Sequence, residues 1–284
     1  MGIDIKFHAD AKNNFLSENM LVRAFTYTNY SIAPHNHDFY EMNIILKGNG
    51  IHQIENASFN IEAGDVFVIP PMTIHAYYDT ENLDVYHILI HKDFINSNRE
   101  ESAKVQGYLQ FMEIEPFLRS NFSDAMFLHL SQNKLTELKN ELKFIDDNGG
   151  FEGEEFIPLK NHTMWKIIYL LSFLLFKQMN SNKNKSSNKY EPAILRTLEY
   201  IHQNYGEKIT VELLAEKTFL SRSTFLRSFY AICNCTPSQY LNEYRRKKAM
   251  EMMENTDLSK TVIAHSCGFY DLPHMERSFK NAHL

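Results

Sequence analysis

A pattern that occurs twice in the last third of the 284-residue chain constrains its fold more than any other feature. Each copy places a small residue, Ala215 or Ala264, ahead of an Arg-Ser-Phe triplet, and the triplets at 227–229 and 277–279 stand 50 residues apart. A small residue lets two helices cross at close distance when a short turn joins them. The repeat therefore predicts two helix-turn-helix units in one helical domain.

Each unit also carries a polar residue suited to begin its second helix. Ser221 and Asp271 stand directly before these helices, and such side chains accept hydrogen bonds from the backbone N–H groups of a first turn. Between the units, residues 237–253 have the pattern of one helix, which at ~1.5 Å per residue spans roughly 25 Å. A spacer of this length, together with the reach of the side chains, can hold two recognition helices in successive major grooves, which lie roughly 34 Å apart on one face of DNA.

A polar segment separates this helical domain from the rest of the chain. Residues 180–189 contain no apolar side chain, which predicts a flexible linker over 181–191. The segment 192–284 holds 12 basic and 10 acidic residues, so the net charge of −6 belongs to the upstream part. Contacts of this domain with DNA phosphates must then come from a few well-placed cations rather than from a strongly basic field.

With these features, the segment 192–284 resembles the DNA-binding domain of the AraC/XylS family of bacterial transcription regulators. The resemblance is carried by Leu214-Ala215, Ser221, Phe229, residues 236–241, Arg245, Ala249, Ile263-Ala264, Gly268-Phe269, Arg277 and Phe279-Lys280. Two positions depart from the family pattern, namely Asn234 in place of glycine and Met275 in place of an aromatic residue. The chain ends at Leu284, before the helix with which the family usually closes, so we expect a domain truncated at its last helix.

The resemblance also implies DNA contacts in both units. Base-reading positions fall on Ser223, Leu226, Arg227, Leu272, Pro273 and Arg277, and phosphate contacts on Arg222, Thr224 and Lys280. In the second unit only Arg277 has a side chain that hydrogen-bonds bases, so readout there is expected to rest on Arg277 and on methyl and backbone contacts. The alternative is that Arg227 and Arg277 are solvated residues of a helix surface.

Upstream of the linker, the pattern changes from β to helical. Short apolar runs separated by Gly, Asn and Pro are typical of an antiparallel sandwich or barrel, which we expect over residues 1–95. The runs are 21–27, 40–46, 51–54, 58–61, 66–69 and 85–90. Over 96–180 a helical period places Leu135, Leu138, Leu142 and Ile145 on one stripe. This region is expected to serve dimerisation, with its apolar helix 164–179 as the dimer seam, or to cover the β domain.

Two motifs within the β region bring histidine and glutamate together. His35, His37 and Glu41 share parity, so on a strand their side chains point to the same face, and His75 follows farther along the chain. The spacings resemble the motifs H-x-H-x3-E-x6-G and G-x5-P-x-G-x2-H of the cupin barrel, with Met72 in place of the second motif's middle glycine. This resemblance implies a double-stranded β-helix barrel.

The chemistry of His35, His37, Glu41 and His75 leaves two kinds of site open. Three imidazoles and a carboxylate suit a divalent metal, and an enzyme built on them would be an oxygenase or an isomerase. Sugar-responsive AraC-type regulators resemble this stretch too, and there the same groups hydrogen-bond a small effector with no cofactor. The predicted effector site then comprises His35, His37, Phe39, Glu41, His75 and Tyr77, with the two aromatic rings facing a sugar.

A DNA-binding domain on the same chain favours sensing over catalysis. We therefore expect a sequence-specific transcription regulator, an effector-responsive activator of sugar or related metabolic genes, rather than a metal-dependent cupin enzyme with an accessory helical domain. Its expected partners are double-stranded DNA, a sugar-like effector, a second copy of the chain and RNA polymerase, with no membrane. The start of the chain has no signal-peptide pattern, and the three cysteines have no paired spacing, so a cytoplasmic protein is expected.

Overall fold

The computed structural model describes residues 5–15, 19–122, 127–149, 151, 153–181 and 190–280. The chain divides into two compact units, Met1–Ser181 and Asn182–Leu284. In the described part of the chain, every strand belongs to the first unit, and the second unit is helical. Most of the expected linker 181–191 and the last four residues of the chain lie outside the described residues.

The N-terminal unit is built around one eight-stranded sheet. Its strands are β1 Phe7–Ala9, β2 Val22–Tyr27, β3 Ile32–His37, β4 Tyr40–Ile54, β5 Ala57–Glu62, β6 Asp65–Ile69, β7 His75–Ile90 and β8 Leu128–His129. The long strands β4 and β7 pair antiparallel and run through both halves of the sheet. Strands β2, β6 and β8 complete one half, and β1, β3 and β5 complete the other.

The two long strands bend where their pairing is irregular. The register between β4 and β7 shifts repeatedly from Ile45 to Ile51. Gly48 lies at this bend with φ of 77°, and a Cβ atom there would stand 2.3 Å from the carbonyl oxygen of Asn82. Glycine alone tolerates both the positive φ and so close an approach of another backbone. The glycine at the end of the first histidine motif therefore has a structural role in shaping the sheet.

The inward faces of the two halves share one apolar cluster. Its members are Ile45, Ile54, Ile61, Phe67, Ile69, Tyr77, Leu83 and Val85, none of them more than 2% exposed. Strand β6 is buried on both faces, because a helix packs on its outer side. Burial on two faces explains the unbroken apolar run 66–69 that the sequence shows there.

The first unit also contains helices, most of which come after β7. They are α1 Ala11–Asn14, α2 Lys92–Asn96, α3 Arg99–Ser102, α4 Glu115–Phe122, α5 Gln132–Leu142 and α6 Ile157–Ser181, with a π-helical turn at Gln110–Ile114 and a 3₁₀ turn at Glu154–Phe156. Three members of the predicted stripe, Leu135, Leu138 and Leu142, are buried on α5, whereas Ile145 is buried in the turn that follows this helix. Among the described residues, no helix has the length and apolar character needed to cross a bilayer.

Six helices form the C-terminal unit: α7 Glu191–Asn204, α8 Val211–Lys217, α9 Arg222–Cys233, α10 Pro237–Asn255, α11 Lys260–Ser266 and α12 Leu272–Lys280. Both expected N-caps are in place, because Ser221 accepts a hydrogen bond from the backbone N–H of Thr224 and Asp271 accepts one from that of His274. The long connecting helix α10 is confirmed as a single element. Asn234 ends α9 in the left-handed conformation with φ of 53°, which is the conformation that a glycine would otherwise supply.

The sequence runs identified the sheet incompletely. Strands β1, β3 and β8 and the segment 75–84 of β7 were not among the predicted runs, and β8 interrupts the region expected to be helical. Strand β3, with the sequence Ile-Ala-Pro-His-Asn-His, lacks an apolar alternation because its buried side chains are polar. The missed strands were thus short or carried polar residues inward, and hydrophobic periodicity detects neither.

Candidate effector site and DNA-binding surface

The two helix-turn-helix units share one construction. Helices α8 and α9 pack together across a short turn, as do α11 and α12. Ala215 and Ala264 are buried, as expected for the small residue of the first helix in each unit. Each turn contains one residue with positive φ, which is Phe219 at 56° in the first unit and Gly268 at 76° in the second. The repeat seen in the sequence is therefore a structural repeat.

Most of the predicted DNA-contact side chains are accessible. Arg222, Ser223, Arg227, Pro273, Arg277 and Lys280 are exposed, and Thr224, Leu226 and Leu272 are half-buried. Arg227 and Arg277 occupy equivalent places, six residues after the N-cap of α9 and of α12. Arg222 donates a hydrogen bond of 3.0 Å from Nε to Glu212, so a phosphate contact through the same nitrogen would compete with this ion pair. The DNA contacts themselves remain predictions.

Two exposed aromatic residues beside the recognition helices were missed by the sequence reasoning. Phe219 is 97% exposed and Tyr270 is 84% exposed, and each lies in the turn just before α9 or α12. A large aromatic side chain is rarely left exposed to solvent in a turn. At Phe219 the positive φ of a non-glycine residue also raises the conformational free energy. The sequence did offer one sign of their place in the turns, because Phe219 stands two residues before the N-cap Ser221 and Tyr270 stands one residue before the N-cap Asp271.

The basic run 245–248 on α10 has structural partners. Arg245 is buried and donates hydrogen bonds of 2.8 and 2.7 Å to the backbone carbonyls of Tyr205 and Glu207, at the end of α7. Arg246 forms an ion pair with Glu243 one turn earlier on the same helix. The bonds of Arg245 fasten α10 to the end of α7. No base contact was predicted for this run.

The six residues predicted to bind an effector come together between the two halves of the sheet. His35, His37, Phe39, Glu41, His75 and Tyr77 are each at most 5% exposed. Strand pairing explains the grouping, because His35 of β3 stands opposite His75 of β7 and their ring centroids are 4.2 Å apart. Nε2 of His37 lies 3.4 Å from Oε2 of Glu41. The residues that the spacing singled out thus form a cluster, but they do not lie on one strand as expected, because His35 and His37 belong to β3 and Glu41 belongs to β4.

Three further polar residues belong to this cluster and were missed. His87 and Asn43 are paired across β7 and β4, and both donate hydrogen bonds to Oε1 of Glu41, at 3.0 and 2.7 Å. The side-chain amide of Asn43 also donates to the hydroxyl of Tyr77 at 2.7 Å. His52 stacks on the ring of Tyr77 with centroids 4.5 Å apart. Asn43 could have been found from the sequence, because it lies two residues after Glu41 and so shares its face of the strand. His52 and His87 could not, because they lie far from Glu41 in the sequence.

Burial dominates the electrostatics of the cluster. It lowers the pKa of His35, His37 and His75, and burial with the nearby Arg119 charge lowers the pKa of His52 well below its usual range. For Glu41 burial acts in the opposite direction, but the hydrogen bond from His87 and the neighbouring histidines outweigh it and hold the pKa well below its usual value. Near neutral pH the carboxyl group of Glu41 is therefore ionised, and the imidazoles of His35, His37, His52 and His75 are neutral.

Backbone hydrogen bonds orient three of these imidazoles. Nδ1 of His35, His37 and His75 lies 3.0, 2.7 and 3.2 Å from the carbonyl oxygens of Ala33, Phe39 and Thr73. A carbonyl oxygen only accepts, so each Nδ1 carries the hydrogen and each Nε2 carries the lone pair. One ligand atom from each of His35, Glu41 and His75 lies within 4.8 Å of the other two. Such acceptors suit either hydroxyl groups or a metal ion.

The N-terminal segment covers one side of the cluster. Strand β1 pairs in parallel with β3, and Phe7 stacks on His35 with ring centroids 4.7 Å apart. Farther along, Phe15 packs edge-on against Phe39, and the ring of Phe39 also stacks on His37. A cleft of about 660 Å³, lined in part by Phe15, adjoins this cover. The ring faces of Phe39 and Tyr77 are thus partly occupied by imidazoles, unlike the open faces expected for a sugar platform.

Comparisons with known proteins match both units. A model of the AraC-like ligand binding domain matches residues 19–142, and a model of a helix-turn-helix domain matches residues 214–283. The chain belongs to the AraC family of transcription regulators. In this AraC-family protein the buried cluster lies within the matched ligand-binding domain, and the two recognition helices lie within the matched helix-turn-helix domain.

Two relatives of this AraC-family regulator match over most of their length. It is 27% identical over 261 residues to the HTH-type transcriptional regulator YdeC of Bacillus subtilis (strain 168), covering 88% of this chain and 83% of that protein. It is 24% identical over 246 residues to the HTH-type transcriptional activator RhaS of Escherichia coli O139:H28, covering 87% and 82%. Both relatives are regulators, so the enzyme alternative is rejected.

A solved structure also resembles part of the chain. It is the DNA-binding domain of AdpA in complex with a target DNA, at 27% sequence identity and a TM-score of 0.31, covering 31% of this chain and 80% of that one.

Proposed function

We propose that this AraC-family regulator is a cytoplasmic, effector-responsive activator of genes for a sugar or a related metabolite. The observation that carries the proposal is the buried cluster around Glu41 in the matched ligand-binding domain, because among the described residues the buried Nε2 atoms of His37 and His75 have no hydrogen-bond partner, and a ligand would supply one. The relative RhaS is named a transcriptional activator, which supports the direction of regulation. An activator of this kind contacts RNA polymerase at the promoter.

The chemistry of the cluster favours a hydroxyl-rich effector. Glu41 and the lone pairs on the imidazole Nε2 atoms accept hydrogen bonds, and a polyol offers several donors at once. In this proposal His35, His37, Phe39, Glu41, His75 and Tyr77 line the effector site. The cover formed by Phe7 and Phe15 shifts when the effector enters, since both rings contact members of the site.

On DNA, we assign base contacts to the residues that follow the two N-caps. Arg227 and Arg277 are exposed at equivalent places, which suits one guanine-reading arginine in each unit. The other proposed base-reading residues are Ser223, Leu226, Leu272 and Pro273. Phosphate contacts are assigned to Arg222, Thr224 and Lys280.

A homodimer would double the number of recognition helices on DNA. The surface of α6 supports this part of the proposal, because Leu170 and Phe173 remain 39% and 40% exposed on a helix that is otherwise buried along one side. Two copies that joined through this surface would bury both side chains.

The test begins with selection of genomic DNA fragments by the purified full-length protein. Fluorescence anisotropy on the selected site then gives the affinity with and without each member of a panel of sugars and sugar derivatives. We expect specific binding at physiological salt and a change of at least about tenfold, or 1.4 kcal/mol, with one compound. Specific binding that no compound alters, in a protein whose melting temperature no compound raises, would contradict effector sensing.

A further inference from the structure

We propose that the N-terminal unit holds a second ligand site, outside the buried cluster, which binds a small organic monocarboxylate with an apolar body. The site is a cavity of about 230 Å³ beside β2, an edge strand of the sheet. Its walls are residues 20–23, Asp147, Gly153 and the beginning of α6. Within the described part of the chain, this lining shares no residue with the buried cluster.

Two cations share one carboxylate in this cavity. Nε of Arg23 donates a hydrogen bond of 2.9 Å to Oδ2 of Asp147, and Nζ of Lys160 donates one of 3.4 Å to Oδ1. Two positive charges against one negative charge leave the group one anion short of neutrality. The carboxylate of Glu155 lies beside Gly153, but it is exposed and screened by water. The cavity therefore favours a ligand with a single negative charge.

Both cations have unused hydrogen-bond donors. Lys160 is only 8% exposed, and an ammonium group carries three donors. Among the described residues, its single acceptor is Asp147, at a distance longer than the usual ~2.7–3.2 Å. Arg23 donates through Nε to Asp147 and through Nη1 to the carbonyl of Asn14, and Nη2 has no acceptor in the same part of the chain. A ligand carboxylate has two oxygens and can accept from Lys160 and Arg23 together.

The rest of the lining selects an apolar body of limited size. The apolar residues that line the cavity are Met20, Leu21, Val22 and Ile157. An engineered apolar cavity of ~150 Å³ holds benzene, so a cavity of about 230 Å³ has room for a six-carbon body with a carboxylate. A sugar would place hydroxyl groups against these apolar residues, and a phosphate would bring a second negative charge. The chemistry of the lining therefore indicates a monocarboxylate.

The cavity is fixed before any ligand arrives. The backbone N–H of Asp147 donates a hydrogen bond of 2.8 Å to the carbonyl of Ala24, which holds the Asp147 segment against β2. Lys160 belongs to the 25-residue helix α6, and Arg23 belongs to β2. Groups held on such elements lose little conformational entropy when a ligand binds. The competing interpretation is that Arg23, Asp147 and Lys160 only fasten β2 to α6, and such a clamp needs no ligand.

The experiment is an NMR titration of the purified full-length protein with cyclohexanecarboxylate and with hexanoate. We expect at least one of them to bind at one site per chain, with a dissociation constant at or below about 1 mM. The matching neutral amides, cyclohexanecarboxamide and hexanamide, should bind at least about tenfold more weakly. Lys160→Gln should weaken carboxylate binding by a similar factor, because it removes one of the two cations. Lys166→Gln is the matched control, since Lys166 is exposed on the same helix and pairs with Glu141 outside the cavity.

Several outcomes overturn the proposal. They are the absence of saturable binding of both carboxylates to the wild type, equal affinity for a carboxylate and its amide, unchanged affinity in Lys160→Gln, and loss of binding in Lys166→Gln. Circular dichroism checks the fold of each variant. If Lys160→Gln does not fold, Ile157→Phe replaces it, because this change narrows the cavity, leaves its charges in place and should also weaken binding. A wild type that binds neither carboxylate would reduce the three charged residues to a structural clamp.

The fate of the proposed function is read separately. The carboxylate titration is repeated on Glu41→Ala, a change within the buried cluster, and the affinity should match that of the wild type. Carboxylate binding that Glu41→Ala abolishes and Lys160→Gln leaves intact would place the ligand in the cluster and overturn the second site. The response of DNA binding to sugars does not enter this titration, so neither result decides whether the cluster is a sugar sensor.

Discussion

Nδ1 of His87 donates a hydrogen bond of 3.0 Å to Oε1 of Glu41, although the two residues stand 46 positions apart in the chain. Pairing of β4 with β7 creates the contact, because it sets His87 opposite Asn43, the neighbour of Glu41 on the same face. The bond holds one carboxylate oxygen and directs the other toward His37. The carboxylate is thereby ionised and oriented in the interior of the sheet.

Acid should destabilise the N-terminal unit from about the ordinary histidine pKa of 6.5 downward. Burial lowers the folded-state pKa of His35, His37 and His75, so below pH 6.5 the unfolded chain takes up protons that the folded chain does not. Each such histidine costs up to about 1.4 kcal/mol of unfolding free energy per pH unit. Loss of the Glu41 contribution follows below its ordinary pKa of 4.5.

The measurement is urea unfolding of the purified full-length protein at pH 7.5, 6.5 and 5.5. Trp165 is the single tryptophan of the chain and lies in the first unit, so its fluorescence reports that unit alone. His75→Gln should have a shallower pH dependence than the wild type. His162→Gln, at an exposed site on α6, should not. Equal pH slopes in the wild type and His75→Gln would contradict this account of the cluster.

Arg227→Ala should weaken specific DNA binding by about 1–3 kcal/mol and relax the preference at one base position, because a guanidinium contacts guanine in two places. Anisotropy on the selected site and on its single-base variants measures both effects. Arg196→Ala removes an exposed arginine of α7 outside both helix-turn-helix units and serves as the control. Equal losses on specific and random DNA would reassign Arg227 to a phosphate contact.

His37→Ala and Glu41→Ala should each abolish the effector response while the protein stays folded and binds DNA. The reason is that both side chains lie in the one cluster, and the DNA-binding residues belong to the other unit. The measurement is the shift in melting temperature that the identified effector produces. Glu137→Ala, an exposed change on α5, controls for loss of surface charge. A full ligand-induced shift in both cluster variants would locate the effector elsewhere.

Residues 1–180 should form a dimer, and residues 190–284 should remain monomeric with weak, strongly salt-dependent DNA binding. In the full-length chain, replacing Leu170 and Phe173 together by Glu should dissociate the dimer, because their apolar surface would no longer be buried between copies. Sedimentation at micromolar protein concentration, with and without effector, measures the oligomeric state. His162 is also exposed on α6, so His162→Glu tests whether a negative charge anywhere on this helix is enough to dissociate the dimer. A monomeric wild type in both conditions would reject the dimer.

Local patterns in the sequence were enough for the helix-turn-helix units. Ser221, Asp271 and the buried alanines are specified within one helix and its adjoining turn, so a period of 3.6 and a cap residue identify them. Exposure was harder to foresee. Phe219 and Tyr270 are among the most exposed large side chains of the described chain, because the turns hold them away from the helices.

For the sensor cluster, the sequence by itself determined that His35 and His37 share a face, because side chains on a strand alternate with a period of two. Glu41 was expected on the same strand, but it lies on β4 after a break at residues 38–39, so parity does not relate it to the two histidines. Only the tertiary structure decided which residues meet them. Antiparallel pairing of β4 with β7 brought in His52 and His87, and pairing of β3 with β7 brought His75 to His35. Strand register is set by the packing of whole faces and by bends such as that at Gly48, so it cannot be read from the spacing within any one segment.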